Sequence, residues 1–286
     1  MRSYARRADI GLATRTVPGL AELAGRITER DRLICRLLLE HRCLTTDQVA
    51  DIGFAHLRNA QQRMQALYRF GVVDRFRPLS WAGSRPYHFT LGPAGAAVVA
   101  AERCVKVADL AWHKGAATAL ARSEDLAHLV GVNGFFTALV RSGRQRGDAM
   151  LATWWSERRC AAAWGEVVRP DGYGVWAEDG GRLPFLLEYD NGTERLAPLA
   201  DKLPGYAHLA GAAGYPTWVL FVFPSPSREA GARRALDQGE VPVATAVLAP
   251  GAAPDAAVWL PVGDSGPRLR LESLGQPGPR TGTGSP

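Results

Sequence analysis

Apolar positions recur at helical spacing in the first quarter of the chain and give way to alternating and continuous apolar runs further on. From Ile27 to His41, Leu33, Ile34, Leu37, Leu38 and His41 line one helical face behind Thr28-x-x-Asp31, a start that resembles a capping box. Leu44 to Ala50 restarts a short helix behind a threonine cap, and Gly53 breaks it. A third helix from His56 to Phe70 turns Ala60, Met64, Leu67 and Tyr68 inward and closes at Gly71, where a left-handed backbone is expected. Two alternating strands, Val72 to Phe76 and Arg85 to Leu91, follow at once, then a helix from Gly92 to Cys104. The Ala-rich stretch Ala108 to Ala121 reads as a connector or a homodimer contact, with Trp112 and His113 as packing residues.

Beyond Ser123 the pattern changes. Glu124 to Arg144 is amphipathic at helical spacing, and a strand begins near Thr153-Trp154-Trp155. Two extended runs, Tyr173 to Glu178 and Leu183 to Asp190, flank Asp179-Gly180, a strong hairpin signal. A helical stretch from Glu194 to His208, a hydrophobic strand Thr217 to Phe223, a helix Ser227 to Gln238 and strands near Val241 to Leu248 and Val258 to Pro261 complete the order. This predicts an α/β fold of the α+β kind: an N-terminal winged helix-turn-helix and a C-terminal mixed sheet flanked by helices. The expected divisions are a basic arm over 1–25, a winged-helix domain over 26–104, a helical linker over 105–122, a mixed-sheet domain over 123–263 and a flexible tail, rich in Gly, Pro, Ser and Arg, over 264–286.

The hairpin carries the chemistry. A turn centred on Asp179-Gly180 pairs positions whose numbers sum to 359, so Asp171 falls opposite Glu188, at a Cβ separation of about 5 Å. Asp190 shares a face with Glu188, while Tyr189 points away. Carboxylates that close repel unless a cation or a proton lies between them, and an oxygen-only set suits Mg2+ or Mn2+ better than zinc. The apolar run Leu183, Phe185, Leu186, Leu187 reads as a buried strand leading straight into Glu188. The alternative is a solvated hairpin end, and a turn shifted by one residue would put Asp171 and Glu188 on opposite faces.

Charge separates the two halves. The chain of 286 residues carries +6, and residues 1–91 hold fifteen arginines and no lysine against eight acids, so this segment is +7 and the remainder −1. A basic segment beside a nearly neutral one is the footprint of a module for double-stranded DNA, or of an arginine-rich composition. On the third helix and the wing, Arg58, Asn59, Gln62, Arg63, Arg69, Arg77 and Arg85 are the candidate contacts, donors suited to phosphates and base edges. Cys35, Cys43, Cys104 and Cys160 form no CxxC pair and read as reduced and structural. No apolar run is long enough for a membrane span and no secretory pattern follows the basic start, so no membrane partner is expected and the cytoplasm is the expected compartment. The absence of a Gly-x-x-x-x-Gly-Lys loop argues against ATP hydrolysis, and the absence of His-x-His argues against a rolling-circle relaxase.

The winged-helix pattern, Leu126-Ala127-His128-Leu129-Val130-Gly131-Val132-Asn133, Trp155-Ser156-Glu157, Pro170-Asp171-Gly172, and Leu187 to Glu194 followed by Lys202 and Tyr206 together resemble the replication-relaxation family of actinobacterial plasmids and mobile elements, over about residues 25–240. The second half also resembles the PD-(D/E)XK nuclease superfamily. That resemblance implies Asp171 and Glu188 as ligands of a catalytic Mg2+; beside it, Asp190 from the hairpin pattern and Glu157 from the preceding strand are further candidate metal ligands, with pairing to Arg158 or Arg159 as the alternative for Glu157. The resemblance also implies a lysine two residues after the glutamate, where this chain has Asp190; Lys202 is the candidate substitute. Two functions follow from the resemblance. One is a metal-dependent DNA nicking or endonuclease activity in plasmid replication or transfer, with catalytic residues Asp171, Glu188 and Lys202. The other is a non-enzymatic replication or transcription factor with a degenerate nuclease-like domain, contacting plasmid replication or transfer proteins.

Overall fold

The structure, a computed structural model, describes residues 9–10, 22–23, 25–78, 85–192, 197–213, 217–236, 241–249 and 251–275. The expected basic arm lies largely outside these residues. The chain divides into two compact units, Met1–Thr137 and Ala138–Pro286.

In the first unit, helix α1 (Glu29–His41) starts at Thr28, whose backbone N–H and hydroxyl both donate to the Asp31 carboxylate at 2.7 Å. Strand β2 (Leu44–Thr45) leads into α2 (Thr46–Gly53), which is closed by the reciprocal cap of Thr45 and Gln48. Helix α3 (Leu57–Arg69) buries Ala60, Met64, Leu67 and Tyr68, the face the apolar spacing predicts, and Gly71 takes the left-handed backbone at φ 69°. Strands β3 (Val73–Arg77) and β4 (His88–Leu91) form an antiparallel hairpin. With β1 (Asp9–Ile10) outside β3 and β2 outside β4 they make a four-stranded sheet among the described residues. Helices α4 (Pro93–Glu102) and α5 (Ala116–Leu120) follow.

Helix α6 (Leu126–Arg146) contributes its residues through Thr137 to this unit. Asn133, 2% exposed, donates its amide to the carbonyls of His41 and Cys43 at 3.2 and 2.7 Å, and Gln48 donates to the Val130 carbonyl at 2.7 Å. These side-chain amides thus tie the helix to the end of α1 and to α2 through backbone carbonyls. The cysteines are free thiols, and burial pushes those of Cys35 and Cys43 up to about 12.

The second unit is built on a mixed six-stranded sheet of order β10-β9-β8-β7-β6-β5. Its strands are β5 (Ala149–Ser156), β6 (Gly172–Glu178), β7 (Gly181–Tyr189), β8 (Trp218–Phe223), β9 (Val243–Val247) and β10 (Leu260–Pro261). The β6–β7 pairs run from Gly172 opposite Leu187 to Glu178 opposite Gly181, so the predicted register of 359 is the observed one. Asp179 and Gly180 both carry positive φ, 50° and 78°, the geometry a tight hairpin turn requires. Gly174 lies opposite Phe185, and a Cβ there would come within 2.3 Å of the ring, so the glycine makes room for a fully buried phenylalanine.

Strands β7 and β8 are parallel and almost wholly apolar, as strands covered on both faces must be. Helix α7 (Glu157–Trp164) follows β5, and α8 (Ala197–Asp201) and α9 (Leu203–Ala213) lie between β7 and β8. Helix α10 (Pro226–Ala235) connects β8 to β9. The composition of 264–286 predicts a tail, yet its first part is packed. Leu271 and Leu274 are buried, and Arg268 donates to the buried Glu229 carboxylate at 2.6 Å. Regularly placed leucines and an ion pair outweigh the Gly and Pro content there; residues 276–286 lie outside the described residues. Among the described residues no helix is long and apolar enough to cross a membrane.

Candidate functional site

Glu188 sits near the C-terminal end of β7, opposite Phe221 on the parallel β8, and is 3% exposed. The C-terminal ends of parallel strands are where open α/β sheets place ligands. One carboxylate oxygen accepts from Lys202 Nζ at 2.6 Å; the other accepts from the Tyr206 hydroxyl. Lys202 occupies the break between α8 and α9, and Tyr206 lies one turn further on, fully buried. The Lys202 side chain is therefore not a solvated helix lysine but a partner of the site glutamate.

Asp171 immediately precedes β6. Its N–H donates to the Leu187 carbonyl at 3.0 Å, and its Oδ2 accepts from the Tyr189 N–H at 2.7 Å, which fixes the carboxylate at the mouth of the hairpin. Burial pushes the Glu188 carboxyl up to about 7, and the charge of Asp171 adds to that rise against the opposing pull of Lys202 and Tyr206. The Asp171 charge thus opposes ionisation of Glu188, a repulsion between carboxylates that a nearby cation, here the Lys202 ammonium, relieves.

Asp190 does not join them. Its carboxylate is held by the Arg228 guanidinium from α10, with Nη2 at 3.0 Å, and its Oδ1 also accepts from the Gly192 N–H at 2.6 Å. Its N–H still bonds the Val222 carbonyl of β8 at 2.9 Å just past the end of β7, and it is the Arg228 guanidinium that takes its carboxylate. Glu157 opens α7 one residue beyond the Ser156–Gly172 pair, at the same end of the sheet as Asp171, and is exposed.

Among the described residues the three acids close enough to share an ion are Glu178, Asp179 and Glu272, at the opposite end of the hairpin. There Glu178 already has cationic partners. It is paired with Arg146 and, at 3.5 Å, with Arg270, and accepts from the Trp176 indole at 2.8 Å. Burial acts to raise its pKa, but hydrogen bonds from Glu272, Arg146 and Trp176 hold it down at about 2. That network reads as a structural clasp.

On α3, Arg58, Asn59, Gln62 and Arg69 are exposed along one side, and Arg85 is exposed ahead of β4. Arg63 is turned inward instead, with Nε and Nη2 at 2.9 and 2.5 Å from the two oxygens of Asp31. Helical spacing put it on the outer face; an acid buried beneath that edge of the helix draws it in. Arg77 is half-buried with its guanidinium 3.9 Å from the centre of the Tyr87 ring. Tyr206 and Arg228 are the side chains the sequence reading did not assign. The i, i+4 relation of Lys202 to Tyr206 was available as a signal; nothing local marked Arg228.

Fold and site together define a two-unit α+β protein with a carboxylate–lysine site at the strand ends of its mixed sheet. The family model for replication-relaxation matches residues 35–218, and the chain belongs to the replication-relaxation family. No curated protein and no solved structure matches it.

Proposed function

We propose that the chain is a DNA-binding protein of plasmid or mobile-element replication or transfer whose second unit cleaves DNA with the help of a divalent cation. The observation that carries this reading is the meeting of Asp171, Glu188 and Lys202 at one strand end, with Lys202 reaching Glu188 from a helix. Asp171 and Glu188 offer a hard cation an all-oxygen pair of donors and would hold Mg2+ or Mn2+, the ion taking over charge on Glu188 that the Lys202 ammonium balances in its absence. Bound there, such an ion supplies an activated water and offsets charge on a phosphate. Lys202 takes the part of the strand lysine that position 190 lacks, and its ammonium is placed to stabilise a phosphate oxygen. Tyr206, donating to Glu188, holds that carboxylate in one rotamer. Wild-type protein should nick supercoiled plasmid in Mg2+ or Mn2+ and not in chelator; intact plasmid under every metal condition would overturn the reading.

The first unit we read as a winged helix that brings the protein to duplex DNA. Its support is the order of three helices and a hairpin together with the exposed Arg58, Asn59, Gln62 and Arg69 on α3. Replacing Arg58, Arg69 and Arg85 together by alanine should lower the slope of log affinity against log salt by about 3, near one per lost phosphate contact, in anisotropy titrations of a duplex. An unchanged slope would remove these arginines from the interface.

A second reading is favoured by Asp190, whose engagement with Arg228 leaves two carboxylates rather than three at the site. On that reading the second unit is a degenerate nuclease-like domain in a non-enzymatic replication factor, and the same plasmid assay separates the two.

A further inference from the structure

We propose that Trp155 and Arg159 form a base-stacking platform beside the carboxylate site, so that the DNA presented to Asp171 and Glu188 is unpaired. The proposal rests on the reading of the second unit as a DNA-cleaving domain, since it assigns that site's substrate. Trp155 pairs with Tyr173 across β5 and β6, and Tyr173 with Leu186 across β6 and β7. Residues directly opposite share a face, as do residues two apart on a strand. Asp171 lies two before Tyr173 and Glu188 two beyond Leu186, so the rings and the acids occupy one face, about 7 Å apart along the strands.

Trp155, Trp164 and Tyr173 form a cluster of three mutually contacting rings. Trp164 and Tyr173 pack against the core that contains Leu186 and Tyr206, and Trp155 lies against both of those rings. Trp155 stacks on Trp164 with ring centres 5.1 Å apart and meets Tyr173 at 5.1 Å. It is half-buried, on a strand that ends the sheet, and the Arg159 guanidinium lies 4.5 Å over its ring. Arg158 and Arg159 are exposed on α7, and Arg169 is exposed just before Asp171.

Trp155 carries Trp164 stacked on it and the Arg159 guanidinium over its ring, so a base would stack on that guanidinium or take its place, a pairing of ring and arginine that matches single-stranded nucleic acid in both respects. Bases stack on the ring, and the guanidinium takes the phosphate or stacks in turn. In a duplex each base face is covered by its neighbours, so this surface discriminates for a melted or single-stranded segment. That substrate class suits a site reached after the first unit has bound nearby duplex.

The test uses the full chain in chelator, so that binding is read without cleavage. Affinity for an oligothymidylate of about 20 nucleotides, longer than one stacking site needs, is compared with that for a blunt duplex. Trp155→Ala should weaken oligothymidylate binding by about tenfold and leave duplex binding unchanged, while Trp155→Phe keeps most of the affinity. Unchanged oligothymidylate binding in Trp155→Ala overturns the platform. So does an equal loss for both DNAs with a lowered unfolding temperature, which would make the ring a packing residue. Failure of the cleavage reading is separable: no metal-dependent nicking by wild type, with the Trp155 effect intact, removes the nuclease and keeps the platform.

Discussion

Asp171→Ala and Glu188→Gln should each reduce metal-dependent nicking of supercoiled plasmid by more than about 100-fold, while duplex affinity stays within about twofold of wild type. Removing a group that merely orients a metal ligand already costs about 10- to 100-fold, so loss of a ligand itself belongs beyond that range. Duplex affinity should be spared because the proposed function assigns it to phosphate contacts of the basic first unit, and neither acid belongs to that unit. Glu188→Gln keeps the shape of a side chain that is 3% exposed, its one carbonyl oxygen can still accept from Lys202 and its amide N–H can donate to the Tyr206 hydroxyl, so its effect reads chemistry rather than collapse. Lys202→Ala should fall between these variants and wild type, with cation binding preserved, because the ammonium is one electrostatic contributor and not a ligand. Isothermal titration with Mn2+ beside the plasmid assay separates the two roles. Full activity in both acid variants would move the chemistry elsewhere.

The hairpin was legible from sequence because two independent signals agreed. The Asp-Gly turn set the pairing sum of 359, the apolar run into Glu188 marked the buried strand, and the structure keeps that register from Gly172–Leu187 to Glu178–Gly181. The first unit's helices were legible for a similar reason, since capping boxes at Thr28 and Thr45 marked starts that periodicity alone leaves loose. What escaped was set by contacts distant in sequence. Asp190 is claimed by Arg228, 38 residues on, and no local pattern encodes that pairing. Lys202 was placed as a candidate only through resemblance; its aim at Glu188 depends on a break between two short helices that propensity does not locate to one residue. The Leu271 and Leu274 contacts were hidden by Gly- and Pro-rich flanks, because composition averages over a window in which two leucines decide the packing.

Arg63→Ala should unfold the first unit more easily by about 2–4 kcal/mol, the largest stability effect expected there, although its helical position suggested a DNA contact. Asp31 is completely buried and accepts from Thr28 N–H, Thr28 Oγ1 and both ends of the Arg63 fork. Deleting one partner of such a pair strands the other, a loss of about 3–5 kcal/mol in full burial, reduced here because the Arg63 side chain keeps 28% exposure. Burial acts to raise the Asp31 pKa, but the hydrogen bonds from Arg63 and Thr28 outweigh it, and the carboxyl titrates below its ordinary value of 3.8. An acid lowered on folding contributes stability that is complete above its unfolded pKa and disappears as the pH falls through the folded one. The gap between wild type and Arg63→Ala, followed by thermal unfolding, should therefore be constant at neutral pH and narrow below about pH 4. Asp31→Asn should reproduce most of the loss without that narrowing, since its amide keeps an acceptor for the Thr28 cap but carries no charge to balance Arg63. If Arg63→Ala instead left stability within about 0.5 kcal/mol and lowered only the salt dependence of duplex binding, the side chain would return to the DNA interface and the ion pair would be incidental.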